Sequence, residues 1–298
     1  MWQRLRRRLA TSPRYRRLRK RLGRFRRRSR FFDSARDYTP YLGAQVGSAS
    51  FIVSTSDKNI GRELVVGGDR KEQRHLAHAL AALRDAGLES PRRLMIDVGA
   101  HIGTAGIAAI LEFAFERILA FEAERENFRL LRANAAINKL DDRMRMFEVA
   151  VSDSEGSAIL NVSSPNTGAY WLVPGGTQGP GRIRVPTARL DHLLPTADVA
   201  PEEVDLLWTD VQGHEGHVLA GASRLLAIGV PTVFELSPRH LRRADGLDLL
   251  VERVQQSFTH LVDLRRPGDG PLPTNQMTTL IERYQNYFTD VLAYRVGL

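Results

Sequence analysis

Hydrophobic positions follow two different spacings along most of the chain. Short unbroken apolar runs, typical of buried parallel strands, alternate with segments in which apolar residues recur every three or four positions, as on one face of a helix. The pattern predicts strands at 94–98, 118–122, 144–151, 204–208, 232–236 and 260–264, and helices at 71–85, 102–116, 124–138 and 214–226. This order predicts an α/β fold built on a doubly wound, mostly parallel sheet. Residues 288–294 predict a last, antiparallel strand.

The alternation is interrupted at two places. Before the first helix, apolar residues at 51–55 and 63–66 predict a short hairpin around 57–61. Between 157 and 187 we expect a β insertion, in which strands flank a mobile loop, 163–181, over the ligand cleft. Tyr170 and Trp171 in that loop could stack on a sugar ring or cover part of the core.

The chain is therefore divided into an arm and one domain. The arm is residues 1–45, and the domain is residues 46–298. The domain includes the hairpin and helix of 46–90 and the insertion of 157–187.

A glycine-containing loop, Asp97-Val98-Gly99-Ala100-His101-Ile102-Gly103, follows the first strand of the sheet. Gly99 and Gly103 allow the backbone to turn closely against a ligand, and Glu122, which ends the next strand, could accept hydrogen bonds from both hydroxyls of a ribose. A dinucleotide site would need glycines at 99, 101 and 104, whereas this chain has His101 and Thr104. The spacing favours S-adenosylmethionine, which has no pyrophosphate, over NAD.

Further residues near these strand ends are assigned to the same cofactor. Asp97 could orient the loop amides and reach the methionine ammonium, and Ala150 and Val151 would lie under the adenine. Asp153 could bind the adenine amino group, or could only cap the turn before Gly156. The predicted cofactor-binding residues are Asp97, Gly99, Ala100, His101, Gly103, Glu122, Ala150, Val151 and Asp153.

A second polar group follows the strand at 204–208. Asp210 should face the same cleft, where a hydroxyl acceptor would need a base. His214, with an ordinary pKa of about 6.5, could serve as well, or could be a helix-surface residue. Glu235, at the end of the next strand, completes the predicted catalytic set. With Glu215 these carboxylates could hold a divalent cation, but their spacing fixes no metal geometry, and we assign no metal.

The formal net charge of +9 is concentrated in the N-terminal arm. Residues 1–30 hold 15 of the 43 Lys and Arg and no acid, which leaves 28 basic against 34 acidic residues in the remainder. The apolar residues of the arm recur at helical spacing: Trp2, Leu5, Leu9, Tyr15, Leu18, Leu22 and Phe25. Such a helix could bind an anionic membrane surface, or the arm could be solvated and disordered.

Seven motifs occur in an order that resembles the FkbM-type methyltransferases over roughly residues 50–295. They are Ile96 to Gly103, Phe121-Glu122, Asn127 with Leu130-Leu131 and Asn134, Ala150 to Asp153, Leu190-Asp191, Asp210 to Glu215, and Glu235-Leu236. The resemblance implies a class I methyltransferase (Rossmann-like) fold, S-adenosylmethionine as cofactor and methylation of a hydroxyl, commonly on a sugar or polyketide. The family usually has D-V-E-G where this chain has Gln212 in the third position, and Asn where His101 stands.

These observations together predict an S-adenosylmethionine-dependent O-methyltransferase acting on a sugar, glycolipid or related metabolite. An RNA methyltransferase and a cofactor-binding protein without transfer activity are the alternatives. The arginine-rich arm favours RNA, but the acidic remainder would repel a phosphate backbone. The chain has no cysteine and no apolar run near the roughly 18 to 20 residues that cross a bilayer. We expect a cytoplasmic protein that could lie at the inner face of the membrane.

Overall fold

The computed structural model describes residues 13–68 and 71–297, which fall into two compact units, Met1–Asp69 and Arg70–Leu298. Among the described residues no helix is both long and apolar enough to cross a membrane.

The N-terminal unit consists of two helices and a hairpin: α1 (Pro13–Ala35), β1 (Tyr41–Val46), β2 (Ala49–Ser54) and α2 (Ile60–Val66). β1 and β2 are antiparallel, so the hairpin predicted from 51–55 and 63–66 is wrong. Residues 60–66 are helical because the Asp57 carboxylate accepts hydrogen bonds from the amides of Asn59 at 3.0 Å and Gly61 at 2.7 Å, which starts α2. Phe32, Phe51 and Leu64 fill the core of this unit.

The C-terminal unit is a doubly wound α/β fold. Its helices are α3 (Lys71–Asp85), α4 (Thr104–Phe113), α5 (Arg125–Ile137), α6 (Leu190–Thr196), α7 (Glu215–Ala220), α8 (Ser223–Ala227), α9 (Pro238–Arg243), α10 (Leu247–Ser257) and α11 (Met277–Arg283). The strands of its main sheet are β3 (Leu94–Val98), β4 (Arg117–Glu122), β5 (Met144–Glu148), β10 (Val204–Thr209), β11 (Thr232–Leu236), β12 (His260–Asp263), β13 (Leu272–Pro273) and β14 (Thr289–Tyr294). β6 to β9 belong to the insertion.

The main sheet has the strand order β13-β12-β14-β11-β10-β3-β4-β5. The five strands from β11 to β5 are parallel, and β14 is antiparallel to both β11 and β12. This confirms the predicted class I methyltransferase fold with its C-terminal antiparallel strand. The strand order reverses between β3 and β10, and ligands of such sheets bind beyond the carboxyl ends of the strands at this point.

The insertion forms a second sheet from β6 (Ala150–Val151), β7 (Gly156–Asn161), β8 (Trp171–Leu172) and β9 (Arg182–Ala188), in the order β6-β9-β7-β8. The strand predicted at 144–151 is therefore divided, since β5 belongs to the main sheet while β6 pairs with β9. The segment predicted as a mobile loop contains a 3₁₀ turn, Thr167–Ala169, and β8, which pairs with β7.

The helix predicted at 214–226 is divided into α7 and α8. Gly221 lies at the break, where a Cβ atom would come within 2.0 Å of the Ser152 carbonyl oxygen. The backbones at Gly221 and Ser152 are therefore in close contact, and this end of α7 packs against the segment that follows β6.

Candidate active site

The loop after β3 lies against the neighbouring strand ends. Gly99 has a φ of +81°, and a Cβ atom there would lie 2.1 Å from the carbonyl oxygen of Asp210, at the end of β10. The amides of Gly99 and Ala100 donate to the Phe121 carbonyl at 2.9 and 3.0 Å. Gly103, with a φ of +91°, precedes α4 and packs against Leu131. The loop is thus fixed between β4 and β10, and only glycine fits at position 99.

Glu122 ends β4 and is 8% exposed. One carboxylate oxygen accepts the His101 amide at 2.9 Å, and the other accepts the Glu124 amide at 2.8 Å. Burial raises the pKa of Glu122 to about 7, although both amide bonds oppose that rise. Each carboxylate oxygen keeps a further lone pair, so the group can still accept hydrogen bonds from a ribose.

An open cavity enclosing about 590 Å³ of empty space, part of it continuous with solvent, lies beyond these strand ends. It is lined by Val98, Gly99, His101, Phe121, Glu122, Ala123, Asn127, Val149, Ala150, Val151, Leu160, Thr167, Gly168, Tyr170, Trp171, Leu172, Asp210, Val211, Gln212 and His214. The cavity therefore brings together five of the predicted cofactor residues and two of the predicted catalytic residues. Asp97, Ala100, Gly103, Asp153 and Glu235 are absent from this lining.

Asp97 lies near the end of β3, just before the glycine-containing loop, and is 1% exposed. Its carboxylate accepts the Gly106 amide of α4 at 3.1 Å, so it holds the first turn of that helix. Burial raises the pKa of Asp97 to about 7. The structure thus places this carboxylate on a backbone amide rather than at the cavity surface.

The insertion covers one side of the cavity. The Thr167 hydroxyl lies 2.8 Å from His101 Nε2, and the Asn127 amide donates to the Thr167 carbonyl at 3.2 Å. The Arg243 guanidinium lies over the Trp171 ring, 4.0 Å from the ring centre. The 3₁₀ turn and β8 are thereby attached to the loop after β3 and to α9.

Asp210 follows β10 and faces the cavity from the other side. Its Oδ1 accepts the Gln212 side-chain amide at 2.8 Å, and its Oδ2 lies 3.6 Å from Lys71 Nζ. Burial would lower the pKa of Lys71, but the carboxylates of Asp210, Asp290, Glu72 and Glu235 hold it well above its usual value. Sequence reasoning missed Lys71, although it is one of only four lysines among the 43 basic residues and begins the helix before β3.

Two buried acids lie beside Asp210. Glu235, at 3% exposed, accepts the Gln212 amide at 3.2 Å and has His240 Nδ1 at 3.8 Å. Glu215 is fully buried and accepts the amides of Val211 and Gly213, both at 3.0 Å. Burial raises the pKa of both glutamates. One oxygen of each of the three acids lies within 4.8 Å of the others, close enough for a cation, but amides and Lys71 already contact these groups.

His214 contacts Ser152 and His217, and Asp153 contacts His217. His214 Nε2 lies 2.9 Å from the Ser152 hydroxyl, and its ring stacks on His217 at 4.2 Å. Burial and the neighbouring His217 lower the pKa of His214 to about 3. Burial would raise the pKa of Asp153, but hydrogen bonds with His217, Ser154 and Ser152 hold it below its usual value.

The chain is similar in sequence to a known methyltransferase. A relative, the 2-O-methyltransferase NoeI of Sinorhizobium fredii (strain NBRC 101917 / NGR234), is 31% identical over 153 residues, which cover 47% of this chain and 61% of the relative. The chain thus spans less than two thirds of that relative's length.

Two solved structures have lower sequence identity to this chain than NoeI has. An O-methyltransferase from Bacillus cereus in complex with SAH is 12% identical, with a TM-score of 0.43, and the match covers 76% of this chain and 82% of that one. Trm1 from Pyrococcus horikoshii with S-adenosyl-L-methionine is 14% identical, with a TM-score of 0.45, over 86% of this chain and 62% of that one.

The family assignment rests on a longer sequence match. Residues 97–268, more than half of the chain, match the methyltransferase FkbM domain. The chain therefore belongs to the FkbM family of S-adenosylmethionine-dependent methyltransferases.

Proposed function

We propose that the chain transfers a methyl group from S-adenosylmethionine to a hydroxyl of a sugar, glycolipid or related metabolite. One observation carries the proposal: a single cavity has Glu122 on one side and Asp210 on the other, at the carboxyl ends of β4 and β10. The first can bind a ribose, and the second can take a proton from an acceptor.

The residues of the cavity have separate tasks in this reaction. S-adenosylmethionine supplies a methyl group activated by its sulfonium. Glu122 accepts hydrogen bonds from the ribose hydroxyls, and Gly99 leaves room for close approach of the ligand to the backbone. Asp210 accepts the acceptor's hydroxyl proton while the new O–C bond forms and the S–C bond breaks. The products are a methyl ether, S-adenosylhomocysteine and a protonated Asp210, which releases its proton to solvent.

His214 is poorly suited to act as the base. A pKa of about 3 makes its imidazole neutral but only weakly basic at neutral pH. We propose that His214 instead holds Ser152 and the wall of the cavity in place through its 2.9 Å contact. Glu235 acts indirectly, because its contact with Gln212 fixes the same side chain that holds Asp210.

Two observations support a sugar-type acceptor. The NoeI relative is a 2-O-methyltransferase by name, and its 31% identity supports an oxygen acceptor for this chain. Tyr170 and Trp171 line the cavity, and aromatic side chains of this kind pack well against sugar rings. The acidic balance outside the arm disfavours RNA as the acceptor.

The test is methyl transfer from labelled S-adenosylmethionine to a panel of methyl glycosides, with tRNA as a separate arm. We expect a labelled methyl ether on at least one glycoside, and we expect Asp210→Asn to lower kcat by about 10² or more. The control is Asp245→Asn, an exposed acid outside the cavity lining, whose activity should match the wild type. Label on tRNA alone, or none on any acceptor, would contradict the proposal.

We also propose that α1 binds anionic membranes. Leu22, Phe25 and Phe31 are 50%, 47% and 56% exposed on α1, and exposed arginines lie between them. Trp2, Leu5 and Leu9, which continue the predicted apolar spacing, lie outside the described residues. Such a helix gains from apolar burial and from attraction to anionic lipids.

Sedimentation with vesicles of phosphatidylglycerol and phosphatidylcholine tests this surface. We expect the full chain to bind at low salt and less at high salt, because salt screens the arginines. Deletion of residues 1–30 should abolish binding, and Leu22→Ser with Phe25→Ser should weaken it. Equal binding by the deletion variant would rule out the proposed surface.

A further inference from the structure

Lys71 lies among several carboxylates of the candidate active site, including Asp210. Its ammonium is 3.6 Å from Asp210 Oδ2, and the Phe288 ring covers it at 5.1 Å. Only 30% of the Lys71 side chain and 25% of the Asp210 side chain are exposed, so water screens this pair only partly. The contact is therefore stronger than an ion pair on an open surface.

Other charged groups lie close to this pair or to its direct neighbours. They are Glu72 and His75 on α3, Asp97 on β3, Glu215 on α7, Glu235 on β11, His240 and Arg243 on α9, and Asp290 on β14. Several already have partners, because His75 contacts Asp290, and Glu215 accepts backbone amides. Lys71 is the cation in contact with Asp210 in the described part of the chain.

The two oxygens of Asp210 are held by different groups. Gln212 donates to Oδ1 at 2.8 Å, and Lys71 lies beside Oδ2. A carboxylate held at both oxygens cannot rotate freely, and a base must lie within about 2.6–3.2 Å of its proton donor to work. Losing Lys71 would free one oxygen and leave Asp210 among like charges.

We propose that Lys71 is a positioning residue for methyl transfer: its ammonium orients Asp210 toward the acceptor. The inference rests on the proposed role of Asp210 as the base. It assigns to α3, which precedes β3, an indirect part in the chemistry, exerted through Asp210. Lys71 also supplies a positive charge beside the cluster of Asp210, Glu215 and Glu235.

The first experiment compares kcat and KM at pH 7 for the wild type, Lys71→Met and Lys71→Arg, with the best methyl glycoside as acceptor. Removing the ammonium frees one oxygen of Asp210, so kcat should fall about tenfold or more in Lys71→Met. The KM for the acceptor and the Kd for S-adenosylmethionine should stay within about twofold, because Lys71 acts on the alignment of the base and not on binding. Lys71→Arg, which keeps the positive charge, should recover most of the wild-type kcat.

Arg84→Met is the matched control, because Arg84 is an exposed cation in the last turn of the same helix. Its kcat and KM should match those of the wild type. An equal loss in Lys71→Met and Lys71→Arg, or a loss that appears in KM and Kd as well as in kcat, would show a merely structural role and overturn the proposal. An unchanged kcat in Lys71→Met would overturn it as well.

A double-mutant cycle in thermal unfolding tests the contact without any acceptor. Lys71→Met and Asp210→Asn should be non-additive, because each single change removes the same interaction. Additive effects would overturn the proposal even if the enzyme is active. If the wild type methylates no acceptor while the two changes are coupled, the failure lies in the proposed function, and the role given to Lys71 in catalysis falls with it.

Discussion

Individual carboxylates define the site, and each is fixed by an identified donor. Glu122 is held by the amides of His101 and Glu124, and Asp210 by Gln212 and Lys71. Asp97 ends its strand just as Glu122 does, yet its carboxylate lies on the Gly106 amide of α4. Position at a strand end is thus insufficient to place a carboxylate in the cavity, because the nearest unsatisfied amide decides its direction.

Asp97 makes stability depend on pH. Its pKa is raised from 3.8 to about 7, so its stabilising contribution is complete below pH 3.8 and is lost as pH rises through 7. We expect Asp97→Asn, which keeps an oxygen for the Gly106 amide, to be more stable than the wild type at pH 8. The difference should shrink toward pH 5.

Thermal unfolding from pH 5 to 8 without cofactor measures this effect. Glu122, Glu215 and Glu235 also have raised pKa values, so both proteins should lose stability as pH rises. The wild type should lose more than the variant. Parallel curves for the two proteins would show that Asp97 does not titrate in this range.

At the level of elements, the periodicity located most strands of the main sheet, and the helices α3, α4 and α5, within a few residues, but it predicted none of α6, α9, α10 and α11. It failed where tertiary contacts override it. Gly221 divides a helix because α7 and the segment after β6 meet there, and β6 leaves the main sheet to pair with β9. The predicted hairpin failed because residues 60–66 are helical, with the amides of Asn59 and Gly61 at the start of α2 donating to the Asp57 carboxylate. None of these contacts leaves a periodic signal in the sequence.

Lys71 shows the same limit within the site. It lies 139 residues before Asp210 in the sequence, and only the packing of α3 beside β14 and α4 brings the two together. Glu122, Asp210 and Glu235 were predictable as neighbours because parallel strands end at one edge of a sheet. A lysine on a packed helix carries no comparable signal.

Gly99 connects two elements, and its replacement should disrupt both. In Gly99→Ala the new Cβ atom would overlap the Asp210 carbonyl, and the φ of +81° would be strained. We expect a loss of about 3 kcal/mol or more, which is a fall in Tm of about 6 °C or more for a unit of this size. Gly268→Ala, where nothing lies within 4 Å of the new Cβ, is the control. Similar Tm values for the two variants would contradict this account of the loop.

The insertion should contribute to cofactor binding through Thr167. Thr167→Val removes the hydroxyl that contacts His101. Loss of one hydrogen bond of about 0.5–1.5 kcal/mol should weaken S-adenosylmethionine binding about two- to tenfold. Thr177→Val changes an exposed threonine in the same insertion, so its affinity should equal that of the wild type. Calorimetry distinguishes these results, and equal affinity in both variants would show that the insertion does not close the site.

In the whole molecule, the excess of basic residues and the residues of the candidate site lie in different parts of the chain. The basic residues concentrate in the first 30 positions, whereas the family match begins at residue 97. The net charge of the chain therefore describes the arm and not the catalytic unit. The class I fold and the family were predictable because seven motifs occur in the order of the family, whereas the side chains of the insertion and α9 follow no such pattern.

Calorimetric titration of the full chain with S-adenosylmethionine tests the central claim most directly, because the whole account depends on the cavity between Glu122 and Asp210. We predict micromolar binding by the wild type and by Asp210→Asn, about tenfold or weaker binding by Glu122→Gln, and no binding of NAD. Equal affinity of the wild type and a folded Glu122→Gln variant, or binding of NAD in place of S-adenosylmethionine, would contradict the account.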